Sequence, residues 1–208
     1  MQIKKTLIVT AHPSSQGFTH LIAGVLKDAR IENGAEVEIL DLYKTDLKQD
    51  FLKFEDPREM KNPDPIRDAI QAKMAWADEL IFIHPLWWLT MPAIMKNFLD
   101  HNIASPFAFH YENGKRIPGL CGRSARLYIT CDGPILLYIF LGLPFIINWV
   151  IGIFTFCGIS TDYFKIIRML PMRGDEVKRK KVLERIKKNS FRRSFSLKGL
   201  NFLGNMFQ

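Results

Sequence analysis

The chain has 208 residues, 48% of them hydrophobic and 24% charged, and a net charge of +8. That composition excludes wholesale disorder, and the length suits one sizeable core. The charge is uneven: residues 173–208 carry eleven Lys or Arg against three Asp or Glu, the whole of the +8, so residues 1–172 are balanced. Such a basic end attracts a phosphate-bearing cofactor, anionic lipid or nucleic acid, or else forms a solvated helix face. Cys121, Cys131 and Cys157 show no C-x-x-C spacing and read as small buried hydrophobes in a reducing compartment. The first ten residues run straight into a strand pattern, so no leader is expected and the location expected is cytoplasmic.

The elements follow in order. "KTLIVTAH" (5–12) is a short apolar run ending in polar residues and predicts a buried parallel strand. Leu21, Ile22, Val25, Leu26 and Ala29 then share one helical face, with Gly34 as a stop. "EVEILDLY" (36–43) is a second strand, and residues 44–65 read as a long loop with short helical turns. Pro65 opens a helix over 65–77, "ELIFIH" (79–84) is a third strand and 91–101 a third helix. The Asn-Gly pair in "FAFHYENGKRIPG" (107–119) predicts a hairpin. Strands at 124–131 and 162–169 and a basic helix at 175–189 complete the series.

This alternation predicts an α/β fold, flavodoxin-like, with a five-stranded parallel sheet of order 2-1-3-4-5 and helices on both faces. Residues 1–190 form the domain, and 191–208 a basic and aromatic tail. Ligands in such sheets sit beyond the carboxyl ends of the strands, near the switch point between strands 1 and 3. Three segments reach that edge: "HPSSQGFTH" (12–20), "PLWWL" (85–89) and "TCDGPILLY" (130–138). The first opens a helix with small polar residues, either a phosphate seat or a set of caps. It lacks both G-x-G-x-x-G and a Walker A loop. The second offers a flat aromatic wall. The third lets backbone approach a heterocycle at a glycine. Phosphate seat, wall and donor edge together suit a flavin mononucleotide moiety. His84, His101 and His110 read as packed or hydrogen-bonded, without metal-ligand spacing.

The signatures "LIVTAHPSSQGFTHLIA", "ADELIFIHPLWWLTMPAIMKNFLDH", "FAFHY", "LYITCDG" and "FCG", over residues 5–158, resemble the flavodoxin-like NAD(P)H:quinone oxidoreductases of the DT-diaphorase type. The P-L-x-W-x-x-x-P-A-x-x-K run at 85–96 is the most specific of them. The resemblance implies His12, Gly17, Phe18 and Thr19 near the phosphate and adenosine parts of a flavin. It implies Pro85, Leu86, Trp87, Trp88 and Leu89 along the isoalloxazine ring, and Thr130, Cys131, Asp132 and Gly133 at the ring-edge donors. Of these last four only Thr130 and Gly133 match the family's Thr-Thr-Gly-Gly. Tyr138 falls on the active-site tyrosine, Pro144 replaces the family's histidine, and Arg179 falls at the adenine end of FAD.

What the resemblance implies for activity is ping-pong hydride transfer from NAD(P)H to a quinone-like acceptor, with FAD as cofactor and FMN as the alternative. Trp88 and Tyr138, with Phe109 and Tyr111 from the partner of a homodimer, would shape the substrate slot. Tyr138 and the backbone near Gly133 would stabilise negative charge on the reduced ring. The uncharged stretch 134–157 has the length of a membrane span, but Gly142, Pro144, Asn148 and Gly152 interrupt it, and it lies between two strands of the sheet. An apolar rim with peripheral membrane contact, aided by the tail, is the expectation there. A second reading, motivated by Pro144, is a flavin- or nucleotide-binding ancillary subunit of a membrane transporter. Nucleic-acid binding lacks any recognised module.

Overall fold

The computed structural model describes residues 5–56, 62–134 and 143–192. Five parallel strands form the central sheet: β1 (Lys5–Thr10), β2 (Glu36–Asp41), β3 (Glu79–Pro85), β6 (Ser124–Cys131) and β7 (Ser160–Arg168). They run in the order β2-β1-β3-β6-β7, the arrangement expected with the fourth and fifth strands at β6 and β7. The antiparallel hairpin β4 (Phe109–Glu112) and β5 (Lys115–Pro118) stands apart from that sheet. Asn113 (φ 50°) and Gly114 (φ 75°) both take the left-handed conformation that such a two-residue turn demands.

Strand side chains alternate between two cores. Leu7, Val9, Leu80, Phe82, Leu127 and Ile129 face α2 (Pro65–Trp76), α3 (Ala93–Asn102) and the helix after β6. Ile8, Ile81, Ile83 and Tyr128 face α1 (Phe18–Ile31) and α5 (Glu176–Lys188). Every residue of β3, the middle strand, is buried. Asp64 caps α2, its carboxylate accepting from Ile66 N–H and Arg67 N–H at 3.0 and 3.1 Å, with Pro65 at the first helical position. The loop after β2 is stitched onto α3: Asn97 Nδ2 donates to the Gln49 and Asp50 carbonyls, and Asn102 Nδ2 to Gln49 Oε1.

The uncharged stretch is partly described. Among the described residues no helix is long and apolar enough to cross a membrane. From Leu143 the chain forms α4 (Leu143–Ile147), which widens into a π-helix over Asn148–Thr155. The wider turn brings residues five apart onto one face, so Trp149 and Phe154 lie against each other at 5.3 Å between ring centroids and are fully buried against Phe82. Here apolar content reflects core packing.

At the opposite, amino-terminal edge of the sheet Glu79 lies buried between two arginines. Arg30 Nε donates to Glu79 Oε2 at 2.6 Å and Nη2 to Oε1 at 3.0 Å. Arg126 Nε donates to Oε1 at 2.7 Å, and Thr6 Oγ1 to Oε2 at 3.2 Å. Arg30 Nη2 also donates to Ser190 O, and Arg126 Nη1 donates to Arg192 O, both just past α5, while Arg30 Nη1 is buried without a partner. Burial alone raises the Glu79 carboxyl, but the hydrogen bonds and charges of Arg30 and Arg126 prevail and hold it below the usual range. Its contribution to stability is therefore complete above the unfolded carboxyl's pKa and disappears as pH falls through the lower folded value. Glu79→Gln leaves two buried guanidiniums without their shared anion, and urea unfolding at neutral pH should show a loss of about 3–5 kcal/mol.

Candidate functional site

The loops at the carboxyl edge leave from a fixed line, because ladder hydrogen bonds run one residue past the strands. Ala11 N–H donates to Ile83 O (3.0 Å), Leu86 N–H to Thr130 O (2.7 Å) and Met169 N–H to Cys131 O (2.6 Å). In the first loop His12 folds back over the chain, its Nδ1 accepting from Ser14 N–H at 3.1 Å. A Cβ on Gly17 would lie 2.5 Å from that Nδ1, so only glycine leaves room for the ring. Gly17 also caps α1 without any side-chain hydrogen bond. Phe18 is buried in the core and offers the site only its backbone. Thr19 has a buried hydroxyl with no partner.

Beside this loop His20 Nε2 and Asp41 Oδ2 are 2.8 Å apart, and His20 Nδ1 is buried without a partner. The ring of His20 meets His12 edge-on at 6.2 Å, and His12 lies 6.5 Å from Trp87. First-turn amides with no side-chain cap, an orphaned Thr19 hydroxyl and an orphaned His20 nitrogen fit the phosphate of a flavin nucleotide. The His20–Asp41 pair was not among the sequence candidates; its only trace there is Asp41 at the end of a strand.

The second loop is a tight turn. Trp87 N–H donates to Thr90 O and Thr90 N–H to Trp87 O, both at 2.9 Å. The two residues between, Trp88 (φ 52°) and Leu89 (φ 61°), are both left-handed. Such a turn ordinarily takes Asn-Gly, and two bulky residues cost about 1–2 kcal/mol each. Trp88 is 98% exposed, so no packing within the chain repays that cost, while Leu86 anchors the turn in the core. The turn borders an open, mainly apolar cleft of about 610 Å³. Its lining includes Trp87, Trp88, Leu89, Met91, Pro144 and Asn148. Asn148 was missed in the sequence, where a lone polar residue in an uncharged run was its only signal.

Beneath the turn sits His84, fully buried. Its Nδ1 donates to Pro85 O at 2.8 Å, and its ring stacks on Trp149 at 5.5 Å and meets Phe145 edge-on at 5.8 Å. Burial pushes the imidazole down to about 4, against a smaller upward pull from the Pro85 carbonyl. It is therefore neutral at pH 7. In the third loop Thr130 and Cys131 are buried, and the Cys131 thiol is raised to about 11 by burial and by the Asp132 charge, so it stays protonated. Asp132 pairs with Arg173 at 2.6 Å on the surface, beside Gly133.

The structure thus brings His12, Gly17, Thr19, the 85–89 turn and Thr130–Gly133 to one edge. Phe109 and Tyr111 lie on the hairpin, Phe109 against Phe156 at 4.9 Å, and neither lines the cleft. Arg179 lies on α5 with its Nε donating to Met172 O at 3.2 Å. Tyr138 lies outside the described residues.

Trp88→Gly removes one left-handed strain and no buried contact, so thermal or urea unfolding should show a gain of about 1 kcal/mol. His84→Phe keeps the aromatic stack and removes a titratable group. The folded imidazole's pKa lies below the unfolded value of 6.5, so wild type loses stability as pH falls through the window from 6.5 to about 4. The variant should lose less over that window in pH-dependent unfolding.

A profile of the flavodoxin-like fold matches residues 4–189. Among curated relatives, an uncharacterized NAD(P)H oxidoreductase of Haemophilus influenzae is 28% identical over 83% of this chain and 88% of its own length. An FMN-dependent NADH:quinone oxidoreductase of Clostridium beijerinckii is 32% identical over 63% of this chain and 70% of its own. The chain spans less of some others, 58% of a ribosyldihydronicotinamide dehydrogenase-like protein of Penicillium crustosum. Among solved structures, a Streptococcus mutans protein superposes with a TM-score of 0.76 at 26% identity, covering 89% of this chain and 98% of that one. The NAD(P)H:quinone oxidoreductase of Methanothermobacter marburgensis shares the fold at 0.75 and 21% identity, over 91% of this chain and 96% of that one. With nearly its whole described length matched, the chain belongs to the family of the flavodoxin-like fold whose relatives include NAD(P)H oxidoreductases and quinone reductases.

Proposed function

We propose that the protein is a flavin-dependent NAD(P)H oxidoreductase that passes hydride to a quinone-like acceptor by a ping-pong mechanism. The observation that carries this reading is Trp88, held fully exposed on a strained turn beside an open apolar cleft. A wide aromatic face kept in solvent at a cost in backbone energy suits a flat partner. The oxidoreductase names of the curated relatives favour the enzyme over the transporter-subunit reading.

A bound flavin supplies the two-electron chemistry, and the protein's part is to hold, orient and tune it. The first turn of α1, with Thr19 and His20, holds the phosphate. The turn at Trp87–Leu89 and the backbone of Thr130–Gly133 flank the ring, and Trp88 with Asn148 borders the substrate slot. A second protomer would bring Phe109 and Tyr111 over that slot, in a cytoplasmic homodimer, and Tyr138 would complete it. The name of the Clostridium relative supports FMN over FAD; Arg179 is the residue that would meet an adenine.

The test is the visible spectrum of the purified chain after incubation with FMN or FAD and desalting. Retained flavin bands, bleached by NAD(P)H and restored by a quinone, are expected, with parallel double-reciprocal plots for the ping-pong order. A chain that retains neither flavin overturns the reading. In the active enzyme, Trp88→Ala should lower kcat/KM for the quinone roughly two- to tenfold, the worth of one aromatic stack of about 0.5–1.5 kcal/mol.

A further inference from the structure

A separate concavity, which shares no lining residue with the cleft, lies between the outer edge of β7 and α5. Its volume is about 270 Å³. Ile166, Ile167, Pro171 and Val182 give it an apolar floor, and Lys165, Arg168, Lys178 and Arg185 line it with positive charge. It is built by the α5 residues Lys178, Val182, Arg185, Ile186 and Asn189, which recur on one helical face, set against an edge strand with no neighbour on its outer side among the described residues. Among the described residues no carboxylate lines it. Lys178 pairs with Asp175, but among the described residues Lys165, Arg168 and Arg185 have no carboxylate partner. Arg168 Nε is buried and makes no hydrogen bond.

Lysine on an edge strand by itself serves to prevent edge-to-edge pairing. That need does not account for Arg168 with an orphaned donor, or for Arg185 converging from another element. Lys181 and Lys188 stand exposed on α5 flanking the groove residues, and the acidic groups of that helix are Glu176, Glu184 and the capping Asp175. Two nearby carboxylates are already committed, Glu32 to Lys187 and Asp132 to Arg173. Exposed Leu170 and Val177 lie next in sequence to groove residues. In sequence, residues 193–203 add Arg193 and Lys198 among the apolar Phe195, Leu197, Phe202 and Leu203. Like charge argues against that tail as the occupant of the groove.

We infer that the β7–α5 face docks on the headgroup layer of an anionic bilayer, with the groove receiving a lipid phosphate. Charge complementarity selects this partner: cations without counter-charges along the groove and an apolar floor under the phosphate seat. The binding is electrostatic, so it weakens as salt shortens the screening length. It is independent of whether the cleft holds a flavin.

The test is flotation of the full chain with phosphatidylcholine vesicles, with and without phosphatidylglycerol. Binding is expected only with the anionic lipid and should fade at high salt. The triple variant Lys165→Gln, Arg168→Gln, Arg185→Gln should bind at least about tenfold more weakly. The triple Lys48→Gln, Lys53→Gln, Lys115→Gln carries the same net charge and should bind nearly as wild type. Equal loss in both triples would reduce the effect to net charge and overturn the assignment. So would equal binding to uncharged vesicles, no binding at low salt, or release by inorganic phosphate at constant ionic strength, which would mark a free-anion site. Thermal melts of both triples confirm folding, and the wild-type lipid and salt comparison decides the matter if either fails.

Discussion

The Glu79 carboxylate is the point on which the sheet's assembly depends. It belongs to the fully buried middle strand, and it gathers α1 through Arg30 and β6 through Arg126. The same guanidiniums reach forward to Ser190 and Arg192, so the last helix is tied back to the first. Such a cluster adds little net stability over a well-packed apolar one, because desolvation consumes most of the attraction. It does penalise any arrangement that separates its members. A doubly wound sheet with two apolar faces needs that discrimination, since alternating Leu and Ile patterns would accept several strand orders.

The clamp sits at the amino end of the strands and the candidate site at the carboxyl end. Rigidity is built at one edge and tolerance at the other. At the carboxyl edge the structure keeps unsatisfied groups that a stability-driven fold would remove: Thr19 Oγ1, His20 Nδ1, the left-handed Trp88 and Leu89. Each is a cost within the chain alone.

Most of the fold was legible in the sequence because parallel strands buried on both faces read as short unbroken apolar runs, and the Asn113-Gly114 pair announced its turn. The strand ends shifted by a residue or two, β7 beginning at Ser160 instead of 162. That the three loop segments meet at one edge was legible because the strand order brings the carboxyl ends of β1, β3 and β6 side by side. What periodicity could not yield was the left-handed turn at Trp88, whose residues are the opposite of those that favour it, and the π-helix, whose period is not that of an α-helix. Equally hidden were the Arg30–Glu79–Arg126 cluster and the His20–Asp41 pair, since both join residues far apart in sequence.

The π-helix over Asn148–Thr155 bears on how this protein can change length. Each of its turns holds about one more residue than an α-turn. Loss of a residue there can be absorbed by tightening the helix, with both ends left in place. It is therefore a natural seam for insertions and deletions within an otherwise inflexible core. Because Asn148 stands on that seam and also borders the cleft, a change of one residue would rotate what faces the cleft and leave the strand ladders paired.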